Sequence, residues 1–395
     1  MAERAWKGYT RIPDTLWFVG VAFNAGVGFN ATSSEGVRMA KKTINVAMIG
    51  AQFMGKTHSN AWRKVDMFFD LPVKPVMKVM CGKFPEELAV ADRYGWEETS
   101  LDWKEVVNRP DIDIVDICRP NAYHAPFAIA AAEAGKHVIC EKPLAPTPDA
   151  IREMIEARDA SGKLLMTAQH FRFRGSSQAM KTEIDRGVLG EVYHARSWLL
   201  RRAAAPTRPG FILKEHSSGG PCIDVGVHIL DLTLWMMGNP KPVAVSGVTQ
   251  NKLAKLPGQF STWGGPIPKF WDVEEFAAAM VRFANGSTLV IEVSWLLHHK
   301  TESEDMQMWL YGVKGGAHWP SNEILSTDYK AKQLLNTQVT FEERGEPHAK
   351  ECIAFAEAVA LRKPSPVPPE QSLDVITILD GLYRSAASGR EVALK

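Results

Sequence analysis

Ile44-Asn45-Val46-Ala47-Met48-Ile49-Gly50-Ala51-Gln52-Phe53-Met54-Gly55 is an almost wholly apolar run followed by a turn with glycine at both ends. So short a run reads as a strand covered on both faces of a parallel sheet rather than as a helix. A helix beginning near Lys56 follows. A strand–turn–helix of this kind seats a pyrophosphate on the helix N-terminus when the turn reads Gly-x-Gly-x-x-Gly. Here it reads Gly50-x-Gln52-x-x-Gly55, with Phe53 and Met54 completing the turn. The first glycine allows the tight turn and the last allows close helix–strand packing. The middle position, where backbone normally approaches phosphate, carries Gln52. An ordinary strand–turn–helix is the competing reading.

The alternation continues after this turn. Strands are expected at 75–80, 112–118, 136–141 and 164–168, and helices at 85–94, 103–108, 125–134 and 147–161. Strands alternating with helices at this spacing predict a doubly wound parallel sheet. From about Arg172 the pattern becomes α+β, with strands expected at 191–199, 243–250, 275–283, 287–295 and 306–311 and closing helices at 349–361 and 372–387. Several of these strands alternate polar and apolar residues, as in a sheet with one covered face. The expected class is therefore α/β: an N-terminal Rossmann doubly wound parallel sheet (residues 40–168), then a C-terminal α+β domain with a large, mainly antiparallel open sheet (residues 169–395). The uncovered face of that sheet predicts a homo-oligomer, dimer or tetramer, and the last helices are expected to pack back against the body.

At 395 residues two domains are the default. A hydrophobic share of 45%, a charged share of 23% and a net charge of +1 describe a globular chain with no basic block for nucleic acid or an anionic membrane. The five cysteines (Cys81, Cys118, Cys140, Cys222, Cys352) are scattered without a CxxC pair, which favours reduced thiols and a cytoplasmic setting over a disulfide framework or zinc knuckle. Residues 1–39 read as an extension ahead of the fold, with Met39 as its natural start. The apolar patch 16–23 is too short to span a bilayer. Asp14 interrupts the approach to it, against a signal peptide.

Three loops carry candidate chemistry. After the second strand, Cys81-Gly82-Lys83 stands where an acid would bind adenosine ribose hydroxyls. Gly82 with Lys83 would tolerate a 2′-phosphate, so NAD and NADP both stay open. The strand after the alanine-rich helix ends in Glu141-Lys142-Pro143, and in an open parallel sheet ligands sit at the carboxyl ends of the strands. A surface Glu-Lys pair beside a turn is the plainer reading of such a tripeptide. Further on, Asp224, His228 and Asp231 fall at i, i+4 and i+7 of an expected helix ending near Gly238. They would share a face, so Asp224 could orient the His228 ring and favour its protonated form. An interface histidine, a metal site with His216 as a further ligand and a general base all remain readings of His228.

The glycine turn, Arg119-Pro120-Asn121-x-x-His124, Glu141-Lys142-Pro143 and Asp224-x-Gly226-x-His228 occur in this order. Together they resemble the Gfo/Idh/MocA family, the glucose–fructose oxidoreductase and inositol dehydrogenase relatives, from about Lys42 to the C-terminus. The resemblance implies a nicotinamide cofactor, NAD or NADP, and a sugar, polyol or glycoside substrate. It implies Lys142 as the lysine on the reacting oxygen, His228 as the proton acceptor or donor and Asp224 as the acid beside them. Gly50, Gln52, Phe53, Met54, Gly55, Gly82 and Lys83 would hold the dinucleotide, with Pro120, Asn121, His124 and Glu141 at its nicotinamide end and Gln169 as a further cofactor contact at the border of the cleft. Arg172 would border the cleft, and no metal is implied.

Arg119 stands where the family commonly has threonine, and Gln52 where it has glycine. The stretch from Trp198 through Arg201-Arg202 to Pro206, with the loop from Lys214 to Gly220, is similar to the branch that oxidises the 3-hydroxyl of glucosides; it adds Arg202 and Lys214 as substrate-binding candidates. Arg208-Pro209-Gly210 departs from that pattern. Trp198, Trp263, Trp271 and Trp295 offer faces suited to sugar rings, although most are expected in the sheet core. Rival readings are a redox-assisted glycosidase or lyase holding NAD tightly, a dinucleotide-binding sugar sensor without turnover and a metal-dependent hydrolase.

Overall fold

In the computed structural model the described residues are 41–343 and 345–394; the expected extension 1–39, with its apolar patch, lies outside them. The first sheet holds β1 (Lys42–Ile49), β2 (Val73–Cys81), β3 (Glu98–Ser100), β4 (Ile114–Ile117), β5 (His137–Glu141) and β6 (Leu165–Ala168), all parallel, in the order β3-β2-β1-β4-β5-β6. The order reverses between β1 and β4, and such a switch point opens the ligand crevice at the strand carboxyl ends. Every side chain of β4 is buried, including Asp116. The connecting helices are α1 (Phe53–Phe68), α2 (Pro85–Leu88), α3 (Ala91–Tyr94), α4 (Trp103–Asn108), α5 (His124–Glu133) and α6 (Pro148–Ser161). The helix expected at 85–94 is two single turns broken at Ala89–Val90.

Local chemistry sets these ends. Asp102 caps α4 by accepting from the Lys104 and Glu105 N–H groups at 2.8 and 3.3 Å. Thr147 caps α6 ahead of Pro148, and Gly162 closes it in the left-handed region at φ 65°.

The chain then forms α7 (Gly175–Asp185), β7 (Val192–Arg201), α8 (Pro209–Ile212), α9 (Lys214–Ser217), a π-helical turn (Cys222–Gly226), α10 (Val227–Met236) and β8 (Pro242–Gln250). A small hairpin, β9 (Phe260–Ser261) and β10 (Gly265–Pro266), follows. Then come β11 (Phe276–Phe283), β12 (Thr288–Ser294), β13 (Glu304–Gly312), β14 (Gly315–Trp319), β15 (Glu323–Asp328), β16 (Gln333–Gln338), α11 (Pro347–Leu361), α12 (Pro369–Ser388) and β17 (Val392–Ala393). The second sheet has nine strands, β16-β15-β14-β13-β7-β12-β11-β8-β17, antiparallel except for the β7–β12 pair. Val245, Ala277, Val281, Leu289 and Ile291 project inward, while Val248 and Met280 stand on the outer face. α11 packs against α1, and α12 lies on β8 and α6.

Candidate active site

Gly50 takes φ +117°, and a Cβ there would lie 2.3 Å from the Cys118 carbonyl oxygen. A Cβ on Gly55 would lie 2.0 Å from the Gly50 carbonyl oxygen. The turn therefore closes only with glycine at its two ends, as a dinucleotide cradle requires. Gln52 is exposed, and its Nε2 donates to Glu87 Oε1 at 2.8 Å. Phe53 is exposed, Met54 half-buried, Gly82 buried and Lys83 exposed. Arg119 lies across the turn, its Cδ 3.1 Å from where a Gly50 Cβ would be. Its Nε and the Gln169 Oε1 are buried without hydrogen-bond partners among the described residues. Glycine-only backbone and orphaned polar atoms along the strand ends fit a bound dinucleotide.

His124 lies deeper than a cofactor contact. Its Nδ1 faces the Pro143 carbonyl at 2.8 Å and its Nε2 the Arg119 carbonyl at 2.6 Å, and burial holds the ring below its ordinary pKa. It therefore ties the loop after β4 to the turn after β5. Pro120 is exposed on that loop, and Asn121 Nδ2 donates to the Ser217 carbonyl at 3.3 Å.

Glu141 is buried at the end of β5, inside a network absent from the sequence expectations. His58, fully buried on α1, reaches Asp116 with Nδ1 at 2.9 Å and Glu141 Oε1 with Nε2 at 2.8 Å. Trp62 Nε1 donates to Asp116 at 2.7 Å. Burial alone would lower the His58 pKa, but the Asp116 carboxylate outweighs it and lifts it well above the ordinary value. Burial opposes ionisation of Glu141 as well, yet the His58 hydrogen bond and charge, with Lys142, hold it to about 2. An imidazolium between two carboxylates thus fixes Glu141, whose Oε2 accepts the Lys142 N–H at 3.0 Å. The visible signal was Asp116: a lone charge inside an apolar strand must find a buried partner. His58, Asp116 and Cys118 form the only three-residue set of ligand type that converges among the described residues, and both His58 nitrogens already face carboxylates.

Lys142 Nζ donates to the Asp224 carbonyl oxygen at 2.9 Å and to Asp224 Oδ1 at 3.2 Å, while Trp295 Nε1 donates to Asp224 Oδ2 at 3.2 Å. The expected one-turn alignment of Asp224 on His228 does not form. Residues Cys222–Gly226 are π-helical, which shifts the angular spacing and turns Asp224 toward Lys142. Nor is His228 held protonated: burial, then the charges of Lys142, His170 and Arg201, push its pKa well below the ordinary value. Its Nδ1 is buried without a hydrogen-bond partner among the described residues. His170 meets the His228 ring edge-on at 5.2 Å between centroids and stacks on His348 at 4.2 Å. These two histidines also escaped the sequence reading, because nothing in spacing joins residues from three separate elements.

Asp224 and His228 line a cavity of about 420 Å³ together with Arg201, Arg208, Phe211 and Trp263. Arg201 is the inward arginine. Alternate side chains of a strand face opposite ways, so Arg202 points out and is exposed. The Arg201 guanidinium pairs with Glu304 at 2.8 Å and lies 4.2 Å from the Trp263 ring centroid. Lys214 is exposed on α9, its backbone N–H donating to Asp272 Oδ1 at 2.7 Å, and it does not line the cavity. Arg172 does not border the cleft either. It is 2% exposed and its guanidinium is taken up by Asp231 at 2.6 and 2.7 Å and by Gln371 at 2.6 Å. His216 is exposed and pairs with Glu215. Of the four tryptophans considered, Trp263 lines the cavity, Trp271 and Trp295 are buried, and Trp198 bonds Asp305.

Residues 44–169 match the family model described as "Oxidoreductase family, NAD-binding Rossmann fold", and residues 177–318 match the model of the GFO/IDH/MocA C-terminal domain. D-glucoside 3-dehydrogenase of Escherichia coli (strain K12) is 30% identical over 360 residues, covering 90% of this chain and 99% of that protein. Levoglucosan dehydrogenase of Pseudarthrobacter phenanthrenivorans is 35% identical over 287 residues, covering 69% and 73%. A solved levoglucosan dehydrogenase in complex with NADH and L-sorbose superposes with a TM-score of 0.78 at 27% identity, covering 90% of this chain and 99% of that one. No helix among the described residues is long and apolar enough to cross a membrane.

Proposed function

The chain belongs to the Gfo/Idh/MocA oxidoreductase family, and on that premise we propose that it oxidises a secondary hydroxyl of a glycoside or related sugar, with Lys142 and His228 handling the hydroxyl proton. The observation that carries this reading is that Asp224, to which the Lys142 ammonium is bonded, and a buried, neutral His228 line one cavity. When bound, a nicotinamide dinucleotide supplies the hydride acceptor. The turn 50–55, Arg119 and Gln169 are the residues that would hold it.

Lys142 Nζ, presented by Glu141 below and Asp224 beside it, hydrogen-bonds the substrate oxygen and stabilises the negative charge developing there. His228 takes the proton. Its Nδ1 has no hydrogen-bond partner among the described residues, and the ring is held in the neutral form, the one that can accept a proton. Asp224 acts on Lys142 as a positioning residue, anchored in turn by Trp295. Trp263, with Arg201 stacked on it, forms a wall suited to the apolar face of a sugar ring.

The proposal extends to the assembly and the setting. The outer face of the nine-stranded sheet, with Val248 and Met280 exposed, joins copies into a dimer or tetramer, which light scattering would measure. The five unpaired buried thiols support a cytoplasmic setting. The deciding test is a screen of glycosides, free sugars and inositols with NAD and NADP separately, following nicotinamide absorbance. Absence of reduction with every substrate and both cofactors would refute the reading.

A further inference from the structure

The end of β2 lacks the acid that usually meets the adenosine ribose, yet a carboxylate stands there. Glu87, from α2, folds back over Gly82, its Oε2 3.3 Å from where a Gly82 Cβ would be. A larger residue at position 82 would push it away. Oε2 accepts the Lys83 N–H and Oε1 the Gln52 Nε2, both at 2.8 Å. Arg119 NH1 lies 4.0 Å from Oε2. The side chain is only 12% exposed. Gln52, which replaces the middle glycine of the turn, therefore tethers the tip of the first turn to the end of the second strand through Glu87.

We propose that Glu87 is the ribose-recognising carboxylate of this chain and that it makes the site select NAD over NADP. The inference rests on the dinucleotide reading of the 50–55 turn. An ionised carboxylate offers about four acceptor positions. Gln52, the Lys83 N–H and the Phe84 N–H engage three of them, leaving an acceptor position for a ribose hydroxyl. A 2′-phosphate would instead meet a fixed like charge. Burial works against ionisation of Glu87, but the Lys83 N–H, Gln52 and Arg119 hold its carboxyl below the usual range, so the charge is present at neutral pH. Of the two cations beside it, Lys83 lies with Nζ 5.2 Å from the Phe84 ring centroid, and Arg119 already faces the Glu87 carboxylate at 4.0 Å.

The test is direct binding, independent of turnover: titration with NADH and with NADPH, followed by nicotinamide fluorescence. The wild-type chain should bind NADH at least about tenfold more tightly than NADPH. Glu87→Gln, nearly isosteric but uncharged, should weaken NADH, strengthen NADPH and erase about a factor of ten of that preference. Glu87→Asp should retain part of it, because the charge survives. Equal or tighter NADPH binding by the wild type, or an unchanged preference in Glu87→Gln at an unchanged melting temperature, overturns the proposal while leaving the dinucleotide site standing. If neither dinucleotide binds the wild type, both readings fall together.

Discussion

His58 Nε2 stands 2.8 Å from Glu141 Oε1, joining α1 to the end of β5 across 83 residues of sequence. The contact bears on the site because the other oxygen of Glu141 receives the backbone N–H of Lys142. The charged centre behind the lysine at the end of β5 is thus set by a histidine on α1. Replacing His58 by Leu would leave two buried carboxylates, Asp116 and Glu141, without their shared partner. Breaking such a buried arrangement from one side costs about 3–5 kcal/mol, so denaturant unfolding should show a loss of that order. A change below 1 kcal/mol would mean that the ring carries no charge.

The same ring predicts a direction in pH. Its folded pKa is raised, so its stabilising contribution is complete below the unfolded value of about 6.5. It is lost as pH rises through the higher folded value. His348 has the opposite sign. Burial and the charge of His58 lower it to about 4, so its contribution is present above about 6.5 and lost as pH falls toward 4. Comparing His58→Leu with the wild type across pH should show a stability gap that narrows on the alkaline side.

For catalysis, the neutral His228 predicts an acid limb in the oxidation profile below the ordinary histidine range. Lys142, His170, Arg201 and His348 all disfavour its protonation, in addition to burial. A kcat/KM that halves at or above pH 6.5 through a single protonation would contradict a buried neutral base.

Lys142→Met and His228→Asn should each lower kcat by about 10²–10⁴, the usual contribution of a positioned proton-transfer or charge-stabilising group. NADH binding should persist in both. Retention of more than a tenth of the wild-type rate in both variants would remove the pair from the chemistry.

Two further substitutions separate the cavity from the core. Trp263→Ala should raise the sugar KM by about three- to tenfold, the value of an aromatic face on a ring. Arg172→Met should act on stability instead, costing about 3–5 kcal/mol by stranding Asp231. In that background Asp231→Leu should recover most of the loss, which calorimetry would detect.

The βα alternation, the place of the Gly50 turn, the position of Glu141-Lys142-Pro143 at a strand end and the shift to an α+β pattern near Arg172 are all written in the local sequence. These are local features: an apolar period of a few residues, or a glycine at a turn, follows from the neighbouring chain alone. The late strands β14 to β16 were not among the expected elements; β16 is exposed throughout, which leaves no apolar period to read. The tertiary structure decided where each polar group finds its partner. It gave Asp224 to Lys142, Arg172 to Asp231, Glu87 to Gln52 and His58 to two carboxylates, and it placed Arg201 rather than Arg202 in the cavity. Each buried charge must be paired, but its partner comes from a segment tens of residues away or from a helical turn of altered pitch. Only the packing of whole elements specifies that choice.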